Sequence, residues 1–136
     1  MIQPDAGPFR ATMSYTLTWE PRGVYRRYHG DMSIAERQRS FDEIAADERF
    51  DGLRFAITDY LDVAHYEITP MATMEIAAMH IGPLITNPRM VMAAVVTRPD
   101  IVAAIEDFRS QGFTRAPYRI FATQAEARDW IEGLDG

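Results

Sequence analysis

The chain has 136 residues, 14 basic against 20 acidic, for a formal net charge of −6, and no cysteine. That length suits one domain burying roughly 65–70% of its unfolded surface, so folding needs no metal or cross-link. The absent cysteines exclude a disulfide framework, a thiolate zinc site and a cysteine nucleophile. All 14 basic residues are arginine, which excludes a Schiff-base or P-loop lysine, and an acidic chain without a basic run argues against nucleic acid.

Residues 1–13 contain Pro4, Gly7 and Pro8 and lack the apolar core of a secretory leader. They are expected to be a disordered tail ahead of a single domain spanning residues 14–136. No apolar run approaches the roughly 18 residues of a membrane span, and a cysteine-free chain suits the cytoplasm. Tyr15, Leu17 and Trp19 alternate with threonines, the pattern of a half-buried strand. Glu20-Pro21-Arg22-Gly23 is a turn, and Val24 to His29 is the returning strand of a hairpin. Arg26 and Arg27 then point to opposite faces, which suggests a strand at or near an edge.

Ser33 and Glu36 have capping-box spacing at the start of a helix. Ile34, Phe41, Ile44 and Ala45 form its apolar stripe, with Arg37, Arg39, Asp42 and Glu43 mostly outside it. Asp51-Gly52 ends that unit. Leu53 to Thr58 reads as a buried strand, reached by a parallel crossover. Asp59 to Glu67 reads as a long polar turn. Thr69 caps a second helix with Pro70 in its first turn, and Gly82-Pro83 stops it. Met90 to Val96 is a continuous apolar run suited to a central strand.

Thr97-Arg98-Pro99-Asp100 has a second capping-box pattern, ahead of a helix carrying Ile101, Val102, Ile105 and Phe108 on one face. Tyr118 to Ala122 is the last strand. Thr123 and Glu126 form a third box, and Ala127, Trp130, Ile131 and Leu134 follow at helical spacing. Trp130 and Phe121 are expected to be buried against the sheet. The order implies an α/β domain: a mixed sheet of about five strands, an N-terminal hairpin and then β-α units, with about four helices.

The hairpin around Gly23, the strand Val91 to Val96, and the ending Tyr118-Arg119-Ile120-Phe121 before Glu126-Ala127-Arg128-Asp129-Trp130-Ile131 resemble the SpoIIAA-like family, relatives of STAS and Sec14-type lipid-binding domains. The resemblance runs from Tyr15 to about Leu134 and implies helices and a sheet wound in a β-α superhelix. In STAS anti-sigma antagonists a kinase phosphorylates a serine of an Asp-Ser-Ser-Gly motif at the helix after the third strand. The equivalent stretch here, Tyr66-Glu67-Ile68-Thr69-Pro70, has no serine. Thr69 and Thr73 are the residues that could stand in as phospho-acceptors.

Three functional readings follow. The first is a non-enzymatic STAS-like module that binds a protein partner or a small apolar, lipid-like ligand. Its surface would comprise Asp59, Tyr60, Asp62, His65 and Tyr66 of the turn and Met71, Met74, Met79 and His80 of the second helix. That helix has two apolar stripes, Met71-Met74-Ala78-Ile81 and Ala72-Ile76-Met79, and a homodimer through residues 70–82 would cover the second. The second reading is a small hydrolase or metal-dependent enzyme using Asp59, Asp62 and His65. Their spacing matches no defined metal motif, and no nucleophile elbow, phosphate loop or dinucleotide fingerprint is present, so no catalytic residue, metal or cofactor is assigned. The third is a phospho-switched anti-sigma-antagonist-type protein. Arg26, Arg27 and His29 could also gather an anion, although alternation separates Arg26 from the other two.

Overall fold

The computed structural model describes residues 14–112 and 115–135; the expected N-terminal tail lies outside them. The elements are β1 (Tyr15–Glu20), β2 (Gly23–Met32), α1 (Ile34–Ala46), a 3-10 turn (Glu48–Gly52), β3 (Phe55–Tyr66), α2 (Pro70–Met79), α3 (Ile81–Thr86), β4 (Val91–Val95), α4 (Pro99–Ser110), β5 (Tyr118–Phe121) and α5 (Gln124–Asp135). One five-stranded sheet runs in the order β1-β2-β3-β4-β5. β1 and β2 are antiparallel and every later pair is parallel.

Because the parallel strands advance in one direction, crossovers of one hand must all lie on one face of the sheet. The packing follows: Ile44 of α1 and Ile101 and Ile105 of α4 pack on the face that carries Val24, Tyr28, Met92 and Ala94. We call this the front. The opposite face is left to α5, whose Ala127 and Ile131 close over Ile57, Ala93 and Val95. Strand alternation sorts neighbouring residues between these two layers. The row Leu17, Arg26, Thr58, Ala94 and Ile120 crosses all five strands in register.

Several expectations need correction. β2 is near an edge and not at it, lying between the edge strand β1 and β3. It also runs on through Gly30, whose φ of +67° needs no side chain to be tolerated. Asp59 to Tyr66 is not a turn but the second half of β3, paired with β2 as far as Met32. The register shifts there twice: Arg27 opposes Asp59 yet His29 opposes Asp62, and Gly30 opposes Val63 yet Asp31 opposes His65, so β3 holds two extra residues. Such a bulge breaks the period-2 pattern on which strand recognition depends. The second helix breaks at His80 into α2 and α3, with Gly82-Pro83 inside α3 and not beyond it.

The caps divide. Thr123 and Glu126 exchange both bonds of a capping box. Ser33 accepts from the Glu36 amide, but the Glu36 carboxylate turns away to the Ser14 amide, and Glu67 takes the Ile34 amide instead. At the second site Thr97 does not cap; Asp100 accepts from the Ile101 amide and pairs with Arg98. Phe121 and Trp130 do pack together, ring centroids 5.6 Å apart, but both are half-buried, with Arg119 reaching over them. Leu134, the last residue of the α5 stripe, is exposed.

Candidate ligand-binding site

Arg26 sits in the middle of the front face. Its Nε and Nη2 donate to Thr58 Oγ1 at 3.2 and 2.8 Å, and its Nη1 donates to Ser40 Oγ at 3.0 Å. Ser40 spends its proton on the Arg37 carbonyl at 2.8 Å, so Tyr28 is the donor in the 2.8 Å contact between Tyr28 and Ser40. Arg37 reaches the other way: Nη1 donates to the Tyr66 hydroxyl at 2.9 Å and Nη2 to the Glu67 carbonyl at 2.7 Å. Its guanidinium lies 4.3 Å from the Tyr66 ring centroid, and its buried Nε has no hydrogen-bond partner. Among the described residues neither guanidinium is paired with a carboxylate.

Arg26, Arg37, Thr58, Tyr28 and Tyr66 line a cavity of about 70 Å³ between the front of the sheet and α1, α2 and α4. Tyr28, Tyr60, Tyr66 and Tyr118 supply its polar rim. Phe41, Ile76, Ile105 and Phe108 supply its apolar walls. Burial pushes the Tyr28, Tyr66 and Tyr118 hydroxyls above their ordinary range, so they remain neutral. His80, also in the wall, is stacked on Phe41 at 3.8 Å and meets Phe108 edge-on at 5.0 Å. Burial pulls its pKa down to about 4, so the ring is neutral at physiological pH. Its Nδ1 lies 2.7 Å from the Ile76 carbonyl. That contact places the proton on Nδ1 and leaves Nε2 as an acceptor.

Of the residues singled out in the sequence, Arg26, Tyr60, Tyr66, Thr73 and His80 come together in this wall. The Asp59-Asp62-His65 cluster does not form. Asp59 is buried on the opposite face, where its carboxylate accepts from the Tyr25 hydroxyl at 2.5 Å and the Leu61 amide at 2.9 Å. Burial and that carboxylate push the Tyr25 hydroxyl up to about 12. Asp62 accepts from Arg27 Nε at 2.9 Å on the outside, and His65 is exposed opposite Asp31. No group of three or more His, Asp or Glu among the described residues is placed to hold a metal ion. Nor do Arg26, Arg27 and His29 form an anion site, since Arg27 is engaged by Asp62.

On α2, Met71 and Met74 are exposed and Met79 is half-buried. Thr69 is exposed and accepts from the Ala72 amide at 3.0 Å, as expected of a cap. Thr73 is buried in the cavity wall, out of a kinase's reach in this conformation. Arg37, Ser40, Thr58 and Tyr118 were not singled out. The signal for two of them was present: Arg37, Phe41 and Ile44 stand at i, i+4 and i+7, with Ser40 beside them, so the core-facing stripe of α1 includes an arginine and a serine.

No protein-family model matches the sequence, and no curated protein matches it. Solved structures do. The anti-sigma factor antagonist SpoIIAA, in its unphosphorylated form, superposes with a TM-score of 0.63 over 88% of this chain and 99% of its own, at 13% identity. This chain has the SpoIIAA-like fold. An uncharacterized protein of the DUF3478 family from Shewanella loihica PV-4, with the same SpoIIAA-like fold, matches with a TM-score of 0.54 over 87% of this chain and 92% of its own, at 10% identity. Such identities establish the fold and leave function to the residues. Within the SpoIIAA-like fold of this chain, the polar cavity lies under the crossover helices, and no helix among the described residues is long and apolar enough to cross a membrane.

Proposed function

We propose that this chain is a non-enzymatic binding module that takes a small amphipathic molecule in the cavity under α1, α2 and α4. The observation that carries this reading is the cavity wall itself, where apolar side chains and polar groups with unused hydrogen-bonding capacity converge on one partly open space. That combination is the usual composition of a small-ligand site. The separation of Asp59, Asp62 and His65 speaks against the hydrolase reading, because acid–base partners must reach one reacting atom. Titration of labelled protein with 1-hexanol, hexanamide and hexanoate, followed by NMR, tests it. Saturable shifts at Tyr66, Thr73 and His80, with Ile57 and Ala127 unmoved, are expected. Absence of any saturable shift at the cavity would overturn the reading.

A second surface supports a protein partner, with another copy of this chain as the first candidate. Met71 is 66% exposed and Ile85 is 73% exposed, with Met74 and Ile81 also solvent-facing on α2 and α3. Neighbouring exposed apolar side chains of this size are a common mark of an interface. Light scattering at roughly tens of micromolar, where an interface of standard size would associate, should report a dimer that Ile85→Glu dissociates. A monomer under those conditions would rule it out.

A further inference from the structure

We infer that the cavity is a receptor for an organic carboxylate, with the Arg26 guanidinium as its anchor. This rests on the cavity being a ligand site and goes further by naming the chemical class that site takes. A guanidinium carries five N–H donors. Three of those on Arg26 are used, one on Nε, one on Nη1 and one on Nη2. Two are left, one on each terminal nitrogen, and a carboxylate oxygen is the acceptor with which a guanidinium N–H pairs most strongly.

The charge points the same way. A guanidinium remains protonated in proteins, and a charge removed from water needs a counter-charge. None is supplied from within. Thr58 and Asp59 are adjacent, but alternation places the hydroxyl on the cavity side and the carboxylate on the other, against Tyr25. Glu36 is bound to the Ser14 amide and Glu67 to the Ile34 amide. Arg37, itself buried and lacking any carboxylate, adds a second positive charge at the cavity edge and an unused Nε donor. His80 is neutral there and brings no competing charge.

Size and lining select among anions. A cavity of about 70 Å³ is about half the 150 Å³ that encloses a benzene ring. It has room for a head group of a few atoms. Phe41, Ile76, Ile105 and Phe108 line the same space, so they match the first carbons of a hydrocarbon chain and not a free oxyanion, with the rest of the chain leaving through the cavity's open side. The ligand class is therefore an aliphatic or aromatic monocarboxylate whose head reaches Arg26.

Hexanoate and hexanamide test this, because they share shape and differ in charge. Inorganic phosphate is the third probe. In NMR titrations of the full chain, hexanoate is expected to shift the Arg26 Nε–H and the Tyr66 and Tyr118 signals. It should bind at least about tenfold more tightly than hexanamide, the factor that one charge-assisted pair supplies. Arg26→Met should bring that ratio to about one, with Ile57 and Ala127 signals unchanged to show an intact fold. Arg26→Lys, which keeps the charge and loses the fork, should give an intermediate ratio and serves if the methionine variant does not fold. Equal binding of hexanoate and hexanamide would overturn the carboxylate assignment and leave the small-ligand reading standing. Binding of neither would overturn both. Phosphate shifting the same signals where hexanoate does not, or an undiminished preference in the Arg26 variants, would also overturn the assignment.

Discussion

The two faces of the sheet are made by alternate residues of the same strands, and their chemistry is opposite. The back has an apolar centre, Ile57, Ala93 and Val95 under Ala127 and Ile131 of a single helix, and its buried carboxylate, Asp59, is met by the Tyr25 hydroxyl and the Leu61 amide. The front, under three helices, places two guanidinium groups and four tyrosines around a cavity. Hydrophobic burial on the back stabilises the fold with nothing left unsatisfied. On the front, buried cations without counter-ions lower stability. The difference indicates which face is constrained by folding and which is free to serve a ligand.

The largest effect should come from the back face. Ile57 is fully buried, and Ile57→Ala leaves a cavity that a well-packed layer cannot close. Its expected cost is about 2–5 kcal/mol, read from chemical denaturation. A loss below about 1 kcal/mol would mean that α5 settles into the space and that the back is not the rigid layer described.

A cost of comparable size appears on the front only when protons are added. The folded-state pKa of His80 is about 4, below the 6.5 of an exposed histidine. The unfolded chain therefore binds the proton first as pH falls. Stability is fully present above pH 6.5, is lost progressively from there through pH 4, and falls in all by about 3 kcal/mol. His80→Gln should flatten that part of the stability profile. An unchanged slope in the variant would place the titrating group elsewhere.

How far this contrast could be read in advance depends on periodicity. The apolar centre of the back was legible: Ala127 and Ile131 at helical spacing and the run Val91 to Val95 identify its two components, and the Thr123–Glu126 cap confirms where α5 starts. The second half of β3 was not. Its extra residues, one between Asp59 and Asp62 and one between Val63 and His65, destroy the alternation, and the polar sequence then reads as a loop. That misreading gathered Asp59, Asp62 and His65 into one candidate site, although extended backbone separates them. Arg26 was noticed only as part of an anion group with Arg27 and His29, and its interior position was missed because a strand carrying adjacent arginines suggests an edge. In fact one arginine is received by hydroxyls in the interior and the other by an acid outside. Nothing local in the sequence distinguishes those two fates, since Ser40 and Thr58 come from other elements.

Arg26→Met tests whether the front face is spared a structural role. Removing the guanidinium removes its desolvation cost but takes a donor from both Thr58 and Ser40. These contributions are opposed and of similar size, so the net change in unfolding free energy should be within about 1 kcal/mol of zero. A loss of about 3 kcal/mol or more would show that Arg26 holds α1 to the sheet. The contrast between a structural back and a functional front would then fail.

The smallest effect belongs to the outer end of β3. The extra residue between Asp59 and Asp62 sends Asp62 to the side of Arg27 and returns Val63 to the front cluster. The side chains of Arg27 and Asp62 are 40% and 55% exposed. Water and salt screen such a pair, and its contribution is about 0.2–1 kcal/mol. Asp62→Ala should therefore lower stability by less than about 1 kcal/mol, and the difference should shrink further as salt is raised. It should also leave hexanoate binding unchanged, because Asp62 and the cavity lie on opposite faces of the sheet. Denaturation at low and high salt, with one hexanoate titration of the variant, measures both. A change in hexanoate affinity would mean that β3 shifts register when the outer pair is lost, carrying Tyr60 and Tyr66 with it. The bulge would then be a coupling point between the faces and not a fixed boundary.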